Sequence, residues 1–228
     1  MRIIFLIIAI IIIYQIYQRG WLTFFATIIF RGNDEEKIIA FTFDDGPNQP
    51  YTNQILEVLK KYNAKATFFQ LGENINKHPE AIKKIISGKH EIGNHSFSHR
   101  KLICKSPDFI RNEIQKTDDI LKKFKVETKV FRPPYGLMFL SLPFTMQKFN
   151  KKIIMWEIDS KDYLNRPAKQ ISDKILRRVK PGSIILMHDG SGTAGGNRSN
   201  TVEALKLCLP KLIEQGYKFS TISDLLLK

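Results

Sequence analysis

Ile38-Ile39-Ala40-Phe41-Thr42-Phe43 runs directly into Asp44-Asp45-Gly46-Pro47. A continuous apolar stretch rich in β-branched and aromatic residues and closed by turn formers reads as a strand covered on both faces, the kind a parallel sheet requires. Two consecutive carboxylates at its end are costly unless paired, solvated or bound to a metal. Working outward, short apolar runs at 66–70, 91–93, 130–131, 153–158, 183–187 and 218–221 alternate with amphipathic segments at 52–62, 79–87, 107–124, 142–149, 168–179 and 201–215. Repeated β-α units put helices outside a parallel sheet. About seven such units in fewer than ~200 residues predict an α/β fold and fit a closed or nearly closed barrel, a distorted (β/α) barrel of about seven parallel strands; a doubly wound sheet fits the same rhythm.

In a barrel of this kind the loops after the strand C-termini converge on one face. The chemically unusual residues fall in those loops: Asp44 and Asp45, then His95 to His99, Arg132 to Gly136, Asp159, and His188-Asp189. Adjacent strand-end side chains point in different directions, so one aspartate can ligate while the other moves a proton. A turn or helix N-cap also explains such a pair. His95 and His99, four apart, lie on one face if they occupy a helical turn and reach a common ion; with one aspartate they give three protein ligands and open positions, the pattern of a catalytic zinc site. A capped surface turn explains the same spacing. His188, at the end of an apolar run, is a candidate general acid, although a lone histidine there is more often structural; Arg132 and Asp159 could orient catalytic groups or form plain ion pairs. His78 and His90 lack partners in the pattern and read as surface or strand-end residues. The stretch 190–200, rich in glycine, reads as a mobile loop beside the site.

The ends and the charge set the wider context. Residues 3–13 are an unbroken apolar run, and bulky Trp21, Phe24, Phe25, Ile28 and Ile29 with no A-x-A pattern disfavour cleavage. The reading is an N-terminal membrane-anchor helix with an interfacial segment over 1–30 and a catalytic domain over 31–228, so a single-pass cell-membrane protein. The catalytic domain would then be extracytoplasmic, although Arg2 and Arg19 flank the run on both sides and leave sidedness open. Net charge is +14 with 36 Lys and Arg against 22 Asp and Glu; setting aside Arg2 and Arg19, the domain carries 34 − 22 = +12. That favours an anionic polymer or surface, and a lysine-coated solvated face explains it as well. Nucleic acid is not expected, since no zinc finger or aromatic-rich RNA signature is present. Cys104 and Cys208 have no C-x-x-C spacing and define neither a disulfide framework nor a zinc site.

Five stretches occur in order: Thr42-Phe43-Asp44-Asp45-Gly46-Pro47, His95-Ser96-Phe97-Ser98-His99, Arg132-Pro133-Pro134-Tyr135-Gly136, Trp156-Glu157-Ile158-Asp159-Ser160-Lys161-Asp162 and Leu186-Met187-His188-Asp189. Together they closely resemble the polysaccharide deacetylase family, the NodB-homology group or carbohydrate esterase family 4, over about 37–226. The resemblance implies a metal-dependent hydrolase removing N-acetyl groups from an amino-sugar polymer. Peptidoglycan N-acetylglucosamine leads, with chitooligosaccharide deacetylation, O-acetyl xylan esterase activity and inactive glycan binding as alternatives. It further implies Asp45, His95 and His99 as ligands of a divalent metal, Zn²⁺ first and Co²⁺, Ni²⁺ or Mn²⁺ next. Asp44 becomes the general base and His188 the general acid. Arg132 tethers the base, Asp159 tunes the acid, Tyr135 offers its backbone N–H to the oxyanion, and Leu186 lines the acetyl methyl pocket. Tyr163 stands where the family often has Trp. A glycoside hydrolase using Asp44 and a second carboxylate leaves both histidines unexplained.

Overall fold

The computed structural model describes residues 26–192 and 196–227. The strands are β1 (Ile28–Ile29), β2 (Ile38–Asp44), β3 (Ala66–Gln70), β4 (Glu91–Asn94), β5 (Val130–Phe131), β6 (Lys152–Ile154), β7 (Ile158–Asp159), β8 (Ile184–His188) and β9 (Lys218–Phe219). The helices are α1 (Tyr51–Lys61), α2 (Gly72–Lys77), α3 (Pro79–Ser87), α4 (Pro107–Lys122), α5 (Ser141–Met146), α6 (Ala168–Arg178), α7 (Ser199–Glu214) and α8 (Ile222–Leu225).

The strands form one parallel sheet in the order β1-β6-β5-β4-β3-β2-β8-β7, with β9 beside the start of β2. The run at 153–158, expected as one strand, is two. Ile153 and Ile154 pair with β1, whereas Ile158 and Asp159 pair with β8. The three residues between them carry the chain across the opening between the two ends of the ladder, where Met155 N–H donates to Ile29 O and Glu157 N–H to Ile184 O. This crossing makes the barrel distorted.

Every residue of β2 is buried. Ile39, Phe41 and Phe43 face the helices, in a cluster with Ile55, Leu59, Leu205 and Leu209. Ile38 and Ala40 face the interior with Phe69, Val130, Ile154 and Ile184, and Ile222 and Leu225 of α8 close that cluster at the strands' N-terminal end. Burial on both faces is why the strand reads as an unbroken apolar run.

One boundary differs from expectation. Residues 26–30, assigned from sequence to the interfacial segment, belong to the sheet: β1 pairs with β6, and Ala26, Ile28 and Phe30 pack against Phe131, Ile153 and Met155. Apolar residues at a sheet edge bury against their neighbours as well as membrane residues do against lipid, so hydropathy does not separate the two. The anchor expected over the preceding residues lies outside the described residues. Among the described residues no helix is long and apolar enough to cross a membrane.

Candidate active site

The strand C-termini and their loops enclose a cleft of ≈ 430 Å³ lined by Asp44, Asp45, His95, His99, Leu186 and His188, among others. Asp44 ends β2 in extended backbone, but Asp45 adopts φ 74°. That left-handed residue turns the chain so that the two neighbouring carboxylates converge: Asp45 Oδ1 lies 3.3 Å and Asp44 Oδ2 3.8 Å from His95 Nε2. The different directions expected of adjacent residues are cancelled by this one dihedral.

The loop is held from below. Asp44 O accepts from the N–H groups of Asp189 and Gly190, and Asp45 O accepts from Asn74 Nδ2 at 2.7 Å. A side chain at Gly46 would place its Cβ 2.0 Å from Asp189 Oδ2, so glycine is required by the close approach. Asp189 is fully buried, accepts from Thr52 Oγ1 at 2.6 Å, and burial pushes its carboxyl up to about 7.

His95 and His99 do not sit on a helical turn. They occupy an irregular loop after β4, with Ser96 at φ 72° and His99 at φ 56°. Glu113 of α4 holds this loop through the N–H groups of Phe97 and Ser98 and the Ser98 hydroxyl. The rings still come together, centroids 5.2 Å apart, and His99 Nε2 lies 3.1 Å from Asp45 Oδ1. His95 Nδ1 lies 2.8 Å from Arg132 O. A carbonyl can only accept, so Nδ1 carries the proton and the Nε2 lone pair faces Asp45.

Asp45, His95 and His99 thus present three buried donor atoms within 4.8 Å of one another, one hard oxygen and two imidazole nitrogens. Asp45 Oδ1 is buried with no hydrogen-bond donor in good geometry. The set fits a divalent cation with open positions. Burial alone would raise the Asp45 carboxyl, but His95 and His99 outweigh it and hold it well below the usual carboxylate range.

Arg132 has no exposed surface, yet all its nitrogens are used. Nη1 donates to Asp44 Oδ1 and Thr42 Oγ1, both at 2.7 Å, while Nε and Nη2 donate to Ile154 O and Met155 O at 3.0 Å. Phe69 lies beneath the guanidinium, 4.2 Å from ring centroid to Cζ. Asp44 is therefore fixed by a buried cation that is itself held by three further hydrogen bonds. Tyr135 adopts φ 60° in the turn after β5, and its ring lies 4.5 Å from that of His99. Leu186 is buried in the wall.

At the end of β8, beside β2, the sequence-based pairing needs correction. The partner of His188 is Asp162, not Asp159. Asp162 Oδ1 lies 2.8 Å from His188 Nδ1 and Oδ2 accepts from His188 N–H at 2.8 Å; Thr201 and Ser160 hydroxyls complete its shell. Asp159 turns toward the mouth, where it accepts from Lys161 N–H at 2.8 Å and Tyr163 OH at 3.1 Å. The left-handed Lys161 at φ 60° and the short 3-10 turn after it swing Asp162 inward. Burial lowers the His188 imidazole, but the Asp162 carboxylate outweighs it and raises the group to about 9.

Asp162 was within reach of sequence, since it sits in the same short stretch as Asp159; nothing in the spacing selects between them. Arg198 was missed altogether: it lines the cleft and its Nε donates to Gly190 O at 2.6 Å. Trp156, Tyr163, Ser191 and Gly192 complete the lining. The mobile loop expected at 190–200 falls partly on residues 193–195, outside the described residues.

Comparisons with known proteins agree with this geometry. The family model described as Polysaccharide deacetylase matches residues 31–150. The chain is 37% identical over 195 residues to a peptidoglycan-N-acetylglucosamine deacetylase of Bacillus cereus, covering 85% of this chain and 90% of the relative. Among solved structures, the Bc1960 peptidoglycan N-acetylglucosamine deacetylase in complex with 4-naphthalen-1-yl-N-oxidanyl-benzamide matches with a TM-score of 0.83 at 36% identity, covering 88% of this chain and 93% of that one. BA3943, a CE4 family pseudoenzyme from Bacillus anthracis, matches with a TM-score of 0.80 at 32% identity, covering 87% of this chain and 68% of that one. With a parallel barrel, an Asp-His-His cluster and this similarity over most of its length, the chain belongs to the polysaccharide deacetylase family.

Proposed function

We propose that the protein removes N-acetyl groups from an amino-sugar polymer, with peptidoglycan N-acetylglucosamine as substrate. The observation that carries this reading is the convergence, in one cleft, of a buried Asp45-His95-His99 donor set with two candidate proton-transfer groups, Asp44 and its register partner on the adjacent strand, His188. The relatives named as peptidoglycan N-acetylglucosamine deacetylases support the substrate.

Asp45, His95 and His99 would hold a divalent ion, Zn²⁺ by preference for this nitrogen and oxygen set, which would supply Lewis-acid polarisation of the amide carbonyl and a lowered pKa for the attacking water. Asp44 takes the proton of that water as its oxygen adds to the carbonyl carbon, and Arg132 keeps Asp44 in place. The Tyr135 backbone N–H faces the developing oxyanion. His188, held protonated by Asp162, gives its proton to the nitrogen as the C–N bond breaks, releasing acetate and a free amine. Amine is a poor leaving group, so both proton transfers are needed, each contributing typically ~10² to 10⁴-fold. Leu186 receives the acetyl methyl, and Tyr163 at the rim shapes substrate preference.

The membrane reading is part of the proposal: residues 1–25 anchor the chain and the domain works on the extracytoplasmic side. Its support is the apolar run at 3–13. The test is acetate release by the purified protein from peptidoglycan, chitooligosaccharides and acetylated xylan in parallel, with and without chelator and metal add-back. Chelator-resistant release, or release from the ester substrate alone, overturns the reading. The similarity to a pseudoenzyme keeps a second reading in view, glycan binding without turnover; glycan retention with no acetate released under metal add-back selects it.

A further inference from the structure

A second cleft, of ≈ 590 Å³, lies between α1, α3 and the loops entering β3 and β4; it is lined by Lys60, Lys65, Lys84 and Lys89, with Glu57 its one carboxylate. Among the described residues none of these four lysines has a carboxylate within ion-pair distance. Lys65 donates to Gly88 O at 2.7 Å. His90 also lines the cleft, but burial, reinforced by Lys65, lowers its imidazole to about 4, so it adds no charge near neutral pH. Four ammonium groups thus face one carboxylate. Lys60 and Lys84 stand in the last turns of α1 and α3 and offset those helix dipoles. That role does not apply to Lys65 and Lys89, which lie in the loops.

Position gives the cleft its meaning. All strands are parallel, so the entries to β3 and β4 lie at the end of the barrel opposite Asp44, His95 and His188. The chain enters β1 at that same end, directly after the 25 residues that contain the apolar run at 3–13. We propose that this cleft binds the phosphate groups of anionic lipid headgroups and seats the barrel on the bilayer with its catalytic face turned outward. The inference rests on the reading of residues 1–25 as a membrane anchor, which delivers this end of the domain to the lipid surface. A concave cleft fits a phosphate drawn between ammonium groups, and lysine is a compact phosphate-binding point charge.

The test uses the full chain on phosphatidylcholine vesicles with and without phosphatidylglycerol, compared with Lys60→Glu/Lys84→Glu/Lys89→Glu and with Lys105→Glu/Lys116→Glu/Lys123→Glu, the same charge change at and beside α4. Phosphatidylglycerol is expected to tighten binding of the parent by about tenfold or more at low salt. The cleft variant should lose that gain while keeping its binding to phosphatidylcholine and its acetate release from a soluble chitooligosaccharide. The α4 variant should keep most of the gain. Retention of the gain by the cleft variant, or equal loss in both variants, overturns the proposal. So does tighter binding of the parent to soluble poly(glycerol phosphate) than to phosphatidylglycerol vesicles at matched phosphate and ionic strength, which identifies a polymer occupant. Failure of the anchor reading registers separately, as no binding to pure phosphatidylcholine.

Discussion

Replacing Asp162 by Asn tests the His188 assignment most sharply. The carboxylate accepts four hydrogen bonds, from His188 N–H, His188 Nδ1, Thr201 Oγ1 and Ser160 Oγ. It raises His188 from 6.5 to about 9 against the effect of burial. Without that charge burial is opposed only by the Asp45 and Asp44 carboxylates, and His188 falls from about 9 back toward its ordinary value. A fall of about 1–2 pH units lowers the protonated share at pH 8 from about nine-tenths to between about half and a tenth, so turnover falls ~2- to 10-fold through protonation alone and the alkaline limb of kcat moves down by the same interval. The amide also turns one acceptor into a donor facing the His188 N–H or the histidine ring, at a cost of about 1–3 kcal/mol. The folded-state pKa of His188 is raised, so the stability it confers is fully present below pH 6.5 and is lost as pH rises through about 9. The difference in Tm between parent and variant should therefore narrow above pH 9. The assay is acetate release from pH 5 to 10 with metal content measured in parallel. Asp159→Asn is the control, expected to leave the limb in place. A limb unmoved in Asp162→Asn, or moved only in Asp159→Asn, refutes the pairing.

The remaining expectations concern the donor set, Asp44 and the frame. His95→Ala or His99→Ala should lose bound metal and acetate release together, since each removes one of three ligands; full activity at unchanged metal content by mass spectrometry contradicts the ligand set. Asp44→Asn should keep the metal while kcat falls ~10² or more, and Asp45→Asn should weaken metal affinity first, with activity partly restored by excess metal. The reverse pattern exchanges their roles. Gly46→Ala drives a methyl to within 2.0 Å of Asp189 Oδ2, and a loss of about 1–3 kcal/mol of unfolding free energy is expected, read as a lower denaturant midpoint; an unchanged midpoint shows that the Asp189 contact yields freely. Deleting residues 1–25 should leave thermal stability intact, whereas deletion through Glu36 removes β1 and the Ile28 and Phe30 contacts and should lower Tm measurably.

Much of this protein follows from its sequence alone. The run from Ile38 to Phe43 reads as a doubly buried strand because parallel strands have no solvent face to mark with polar residues. The β-α rhythm names a parallel sheet with helices outside, which a barrel and a doubly wound sheet share, and five ordered stretches name the family. Asp44, Asp45, His95, His99 and Arg132 are legible as site candidates only through the resemblance carried by those stretches, because each stretch alone also reads as a turn, a cap or an ion pair; the fold is what brings Asp45, His95 and His99 within 4.8 Å of one another. Three further features needed the fold. The fate of Ile28 and Ile29 depends on a strand more than 120 residues away, and hydropathy is the same for a lipid-facing and a sheet-edge isoleucine. The convergence of Asp44 and Asp45 depends on the left-handed φ of Asp45, which no residue pattern forces on an aspartate. The choice of Asp162 over Asp159 rests on one left-handed residue, Lys161, and on where β8 and Thr201 lie. Sequence spacing names the candidate acids, but a hydrogen bond needs an atom within ~3 Å, and only the packed backbone sets that distance.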